Sequence, residues 1–147
     1  MRRLSLLLGL IFLFSLPARS LSVEFFAITY KSGLPLENQD IRSAVEDLDW
    51  LQRAIDHNFQ LIRHMPKLKY QVVGLTDGSE CDHDCSELAA RRARLFQESL
   101  VSSGVPRSLF CPFKVEGPPW PSPYTPEPDE SLLGRQAVVV PMFDGCA

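Results

Sequence analysis

Asp77 and Arg92 stand fifteen residues apart, and of the residues in this chain their types and spacing best suit binding chemistry. Asp77 lies just past an apolar, β-type run, and Arg92 falls two turns into the helical pattern that follows. A loop folding back would bring a carboxylate and a guanidinium to one pocket at the helix N-terminus. Such a pocket suits a zwitterionic amino-acid group. The carboxylate accepts from an ammonium, and the guanidinium clamps a carboxylate bidentately. Free amides at a helix N-terminus add anion affinity. The plainer alternative is that Asp77 and Arg92 pair with each other or cap local backbone.

The second cluster is Cys81-Asp82-His83-Asp84-Cys85. Two thiolates, an imidazole and acids could hold a metal, but a structural zinc site draws on two separated ligand groups and the second is missing. The even set of Cys81, Cys85, Cys111 and Cys146 suggests disulfides, with Cys81–Cys85 and Cys111–Cys146 preferred among three possible pairings. Trp120 and Tyr124, in a proline-rich stretch, could stack on a sugar or cover a sheet edge. The chain has no G-x-S-x-G, no H-E-x-x-H and no phosphate-binding glycine loop, so a binding module rather than an enzyme is expected, with no metal or cofactor.

The elements that must position these residues follow from periodicity. Val23 to Tyr30 and Leu68 to Leu75 read as strands. Between them Ile41, Val45, Leu48, Leu51, Ile55, Phe59 and Ile62 mark one face of a helix starting near Asn38 or Asp40 and ending at Pro66. Asp47 and Asp49 near Arg53 read as a solvated face of that helix, with His57 and His64 facing solvent and Trp50 at its border. Ser86 suits an N-cap for a second helix carrying Leu88, Ala89, Ala93, Phe96 and Leu100, and Gly104 suits its exit. Ser108 to Val115 can hold a short strand. Six prolines exclude 117–130 from a sheet interior, and Gly134 to Phe143 reads as a last strand. The order β-α-β-α-β-β predicts an α+β domain, a mixed sheet with helices packed on one face.

Length allows one such domain, residues 21–147, behind an N-terminal segment. Arg2 and Arg3, an apolar run from Leu4 to Leu16, and Ala18-Arg19-Ser20 fit a signal peptide over residues 1–20. The run is too short for a spanning helix. Removing it shifts the formal net charge from −3 to −6, through loss of Arg2, Arg3 and Arg19. That balance opposes a general affinity for nucleic acid.

The stretch from Tyr70 to Gly104 resembles the peptidoglycan-binding domain shared by OmpA, Pal and MotB. In that family a strand ends in G-H-T-D, and a helix beginning L-S-x-x-R-A follows a loop. Gly74, Thr76 and Asp77 match the strand end, Leu88 and Arg92-Ala93 match the helix, and Gly104-Val105-Pro106 resembles the exit. The final strand, from Gly134 through Arg135 to Val139, resembles the family's last strand with one arginine kept. The resemblance implies a periplasmic domain, associated with the cell wall or outer membrane, that binds peptidoglycan. Its ligand would be the diaminopimelate end of the stem peptide, held by Asp77, Arg92 and Thr76. The chain departs from the pattern at Leu75, Glu80, Cys85 and Ala89, where the family has His, Gly, Asn and Ser. Glu80, Asp82, Asp84 and Glu87 are expected to crowd the pocket rim and weaken or alter binding. The alternative is an envelope domain with a degenerate pocket, serving a structural role or a protein partner.

Overall fold

A computed structural model describes residues 24–77, 79–82, 85–115 and 134–146. The expected signal segment, the proline-rich loop with Trp120 and Tyr124, and His83 and Asp84 lie outside them. The elements are β1 (Ile28–Thr29), α1 (Ile41–Ala44), α2 (Leu48–His64), β2 (Lys69–Gly74), α3 (Ser86–Ser102), a 3-10 turn (Arg107–Leu109), β3 (Lys114–Val115) and β4 (Gln136–Met142). The sheet order is β1-β4-β2-β3. β4 runs antiparallel to both β1 and β2, and β3 runs parallel to β2, so the sheet is mixed as expected.

Period-two patterning sorts the sheet residues. Tyr70 and Val72 of β2 and Ala137 and Val139 of β4 join the main core with Leu51, Ala54 and Ile62 of α2 and Ala93, Phe96 and Leu100 of α3. Val73, Leu75, Val138 and Val140 line the other face. Gly74 sets the distance between β2 and α3. A Cβ there would overlap the Ala89 carbonyl, so only glycine lets the strand end touch the first turns of the helix.

Several boundaries differ from the sequence expectation. The single helix expected from Asn38 or Asp40 to Pro66 is two helices. Val45 leaves α1 in extended conformation and bridges Tyr30, while the Glu46 N–H donates to the Thr29 carbonyl. Asp47 is solvent-exposed as expected, and its carboxylate also caps α2 by accepting from the Trp50 amide at 2.8 Å. Val45 belongs to the core through this bridge rather than through a helical face, and Leu48 is exposed.

β1 is shorter than Val23–Tyr30 because its first backbone groups are bonded to α2 side chains instead. Asn58 both accepts from the Phe26 N–H and donates to the Phe26 carbonyl, each at 2.8 Å, and the Trp50 indole donates to the Ala27 carbonyl. His57, expected to face solvent, stacks on Phe26 with ring centroids 3.8 Å apart.

The third strand shrinks to Lys114–Val115, since the chain first turns through the 3-10 segment and Pro112 offers no N–H. Cys85 rather than Ser86 occupies the N-cap of α3. At its exit the Val105 amide bonds back to the Leu100 carbonyl, with Gly104 at φ 114°. Disulfides join Cys81 to Cys85 and Cys111 to Cys146.

Candidate functional site

The end of β2, the first turns of α3 and the loop after β1 meet at Arg92. Its side chain is fully buried, 0% exposed. A buried charge persists only when paired and hydrogen-bonded, and this one is saturated. Nε donates to the Leu34 carbonyl at 2.9 Å. Nη1 donates to the Leu75 carbonyl and to Glu80 Oε2, both at 2.8 Å. Nη2 donates to Glu80 Oε1 at 2.5 Å and to the Lys31 carbonyl at 3.4 Å. A guanidinium has five N–H donors, and every one of them is used.

The carboxylate of Glu80 completes the arrangement. It meets Arg92 fork to fork, and its side chain is also 0% exposed. Two backbone amides reach the same oxygens: Gly33 N–H donates to Oε1 at 2.9 Å and Asp77 N–H to Oε2 at 3.2 Å. Three backbone carbonyls thus orient the guanidinium, while two amides and the fork converge on one carboxylate. Chemically this is a carboxylate receptor, and in this chain its occupant is Glu80. Removing one partner of such a pair leaves an uncompensated buried charge and costs roughly 3–5 kcal/mol.

Tyr30 closes the floor. Its hydroxyl donates to the Arg92 carbonyl at 2.9 Å, and the guanidinium lies 5.4 Å from its ring centroid. Burial pushes the Tyr30 phenol well above its ordinary range, only partly offset by the positive charge of Arg92. It stays a neutral donor.

The expected site residues meet only in part. Arg92 and Thr76 are buried at the same end of the sheet. Asp77 contributes its backbone amide to the receptor, but its carboxylate turns away into a local turn. It accepts from the Ser79 amide at 2.9 Å and the Ser79 hydroxyl at 2.7 Å. It forms no ion pair with Arg92, whose donors all go elsewhere. Gly134 fixes where Asp77 sits, since a Cβ there would come within 2.7 Å of the Asp77 Cα.

Glu80 needs a correction. Sequence reasoning placed it on the rim as one more repelling acid, whereas it lies inside as the arginine's counter-ion, because a fully buried guanidinium needs a paired anion. Sequence reasoning also missed the loop after β1, whose Lys31, Gly33 and Leu34 bind only through backbone groups. No side-chain signal could have announced them.

The metal alternative involves His83 and Asp84, which lie outside the described residues. Cys81 and Cys85 are joined to each other, and among the described residues no group of three metal-ligating side chains gathers. None of the described helices is long and apolar enough to cross a membrane.

Comparison with known proteins adds the fold. No protein-family model and no curated protein sequence matches the chain. Among solved structures, the chain is similar to the periplasmic domain of Helicobacter pylori MotB. One such structure is 21% identical with a TM-score of 0.58, over 81% of this chain and 73% of that one. Another is 24% identical with a TM-score of 0.52, over 78% and 79%. A third covers 69% of this chain and 66% of its own length, at a TM-score of 0.55. Likeness at this identity establishes architecture: the chain has the α+β, OmpA-like fold of the MotB periplasmic domain.

Proposed function

We propose that this chain is an exported, periplasmic domain of the bacterial cell envelope that binds peptidoglycan non-covalently at the Arg92 end of its sheet. The observation that carries the reading is the carboxylate receptor: a buried arginine held by three backbone carbonyls, with the Gly33 and Asp77 amides converging on the same anion. The OmpA-like fold and the fifteen-residue spacing of Asp77 and Arg92 support it. A stem peptide ending in diaminopimelate offers a carboxylate for Arg92 and an ammonium for Asp77, once Glu80 leaves Arg92 and Asp77 releases Ser79. The role is binding rather than catalysis.

A second reading is favoured by the complete burial of the Glu80–Arg92 pair. In it the receptor is permanently filled, and the domain serves as a structural element or docks an envelope protein. Co-sedimentation with purified peptidoglycan sacculi separates the two. Peptidoglycan binding predicts saturable pelleting that weakens when Asp77 becomes Ala. If neither the wild-type chain nor a variant lacking the Glu80 carboxylate pellets, the second reading replaces the first.

A further inference from the structure

We infer that Glu80 is an internal competitor for the carboxylate receptor, an autoinhibitory contact that keeps Arg92 from external ligands. The inference rests on the receptor reading above and concerns what governs its occupancy.

Three observations carry it. Glu80 presents to Arg92 the same atoms as any external carboxylate would, in fork-to-fork geometry, and takes the two amide hydrogen bonds as well. Nothing in the receptor is left over for a second anion, because the five guanidinium donors are all engaged. Glu80 is also tethered close by on both sides. Asp77, three residues past the end of β2, precedes it by three residues, and Cys81 follows it, bonded to Cys85 at the α3 N-cap with a Cα–Cα distance of 5.7 Å.

A tethered carboxylate competes at an effective concentration far above that of a free ligand, because its loop closure has already occurred on folding. The exchange balances in charge. The buried guanidinium cannot be left bare, so Glu80 leaves only as another carboxylate enters, and it takes its own charge out to solvent. An apolar or cationic ligand gains nothing from the exchange. The receptor therefore selects carboxylates, and the Glu80 tether sets how strongly they bind.

The test is titration of the ¹⁵N-labelled full domain with meso-diaminopimelate and, separately, with acetate, following the Gly33 and Asp77 amides and the Arg92 side-chain resonances. It compares the wild type with Glu80→Ala and with Glu80→Gln, which keeps the side-chain shape should the alanine variant not fold. The inference predicts at least tenfold tighter binding of both carboxylates to the variants. The gain should vanish on adding Arg92→Gln, and ethylamine should produce no shifts at these groups. A folded Glu80→Gln or Glu80→Ala protein with both disulfides intact that binds no tighter than wild type overturns it. The source of failure can be told apart. If the variants bind acetate and diaminopimelate but do not pellet with sacculi, the internal competitor stands and peptidoglycan is the wrong ligand. If wild type pellets with sacculi through Asp77 and the variants bind no tighter, the peptidoglycan reading stands and the competitor does not.

Discussion

At the residue scale, the site turns on which carboxylate meets Arg92. The fifteen-residue spacing singled out Arg92, which the structure buries against Glu80 rather than Asp77. It could not show where Glu80 points. Loop residues have no periodicity, and an acid in a loop is more often solvated than buried. Arg92→Ala should lower stability by about 3–5 kcal/mol in urea unfolding, since Glu80 would be left buried and unpaired. Arg92→Lys should recover little of that loss, because one ammonium cannot serve five contacts in a planar fork.

Tyr30 makes a pH prediction at the same scale. Its phenol is raised above the ordinary value of 10.0 by burial. The folded state therefore holds the proton more tightly than the unfolded chain. The associated stability is fully present below about pH 10 and is lost as pH rises above it. Alkaline titration of the unfolding free energy should fall beyond that point, and Tyr30→Phe should flatten the fall while costing the hydrogen bond to the Arg92 carbonyl. An unchanged slope in the variant would remove Tyr30 as the cause.

At the element scale, the strands and helices were largely legible and their boundaries were not. The apolar faces of α2 and α3 come from strong three-and-four periodicity. The break at Val45 was hidden because Val45 satisfies that same periodicity while in fact bridging Tyr30. The shortening of β1 was hidden because Asn58, a polar residue in a helix, substitutes for a strand partner at Phe26. Replacing Asp47 with Ala tests the break, since losing the cap of a separate α2 should cost about 1 kcal/mol whereas a mid-helix surface site would lose almost nothing. Gly74→Ala tests the contact between β2 and α3. Its Cβ has backbone rather than a flexible side chain in its way, so circular dichroism and thermal unfolding should show a protein with a broken or strongly weakened fold.

At the scale of the whole molecule, the end of β2, the start of α3 and the loop after β1 converge on the Arg92–Glu80 pair, with the Cys81–Cys85 disulfide beside it and the Cys111–Cys146 disulfide at the opposite end of β2. The Cys111–Cys146 bond closes a 35-residue separation and ties the entry to β3 to the end of the described chain. In the chain-entropy model it contributes about 4 kcal/mol, against about 2 kcal/mol for the Cys81–Cys85 bond over four residues. Replacing Cys111 and Cys146 by Ser should therefore lower the urea midpoint by more than replacing Cys81 and Cys85. The smaller pair should matter more for ligand binding, since it anchors the segment that carries Glu80. The architecture as a whole was readable in the order and spacing of the elements. The state of the receptor was not, because it depends on one side chain turning inward.

A double-mutant cycle between Glu80 and Arg92 tests that central claim most directly. Urea unfolding of the wild type, Glu80→Ala, Arg92→Ala and the double variant gives the coupling between the two side chains. Two charges in bidentate contact and fully buried predict a coupling near the upper end of the range for residues in contact, about 2–3 kcal/mol, with the double variant losing far less than the sum of the singles. A coupling within about 0.5 kcal/mol of zero would mean that Glu80 does not occupy the receptor, and would contradict the account.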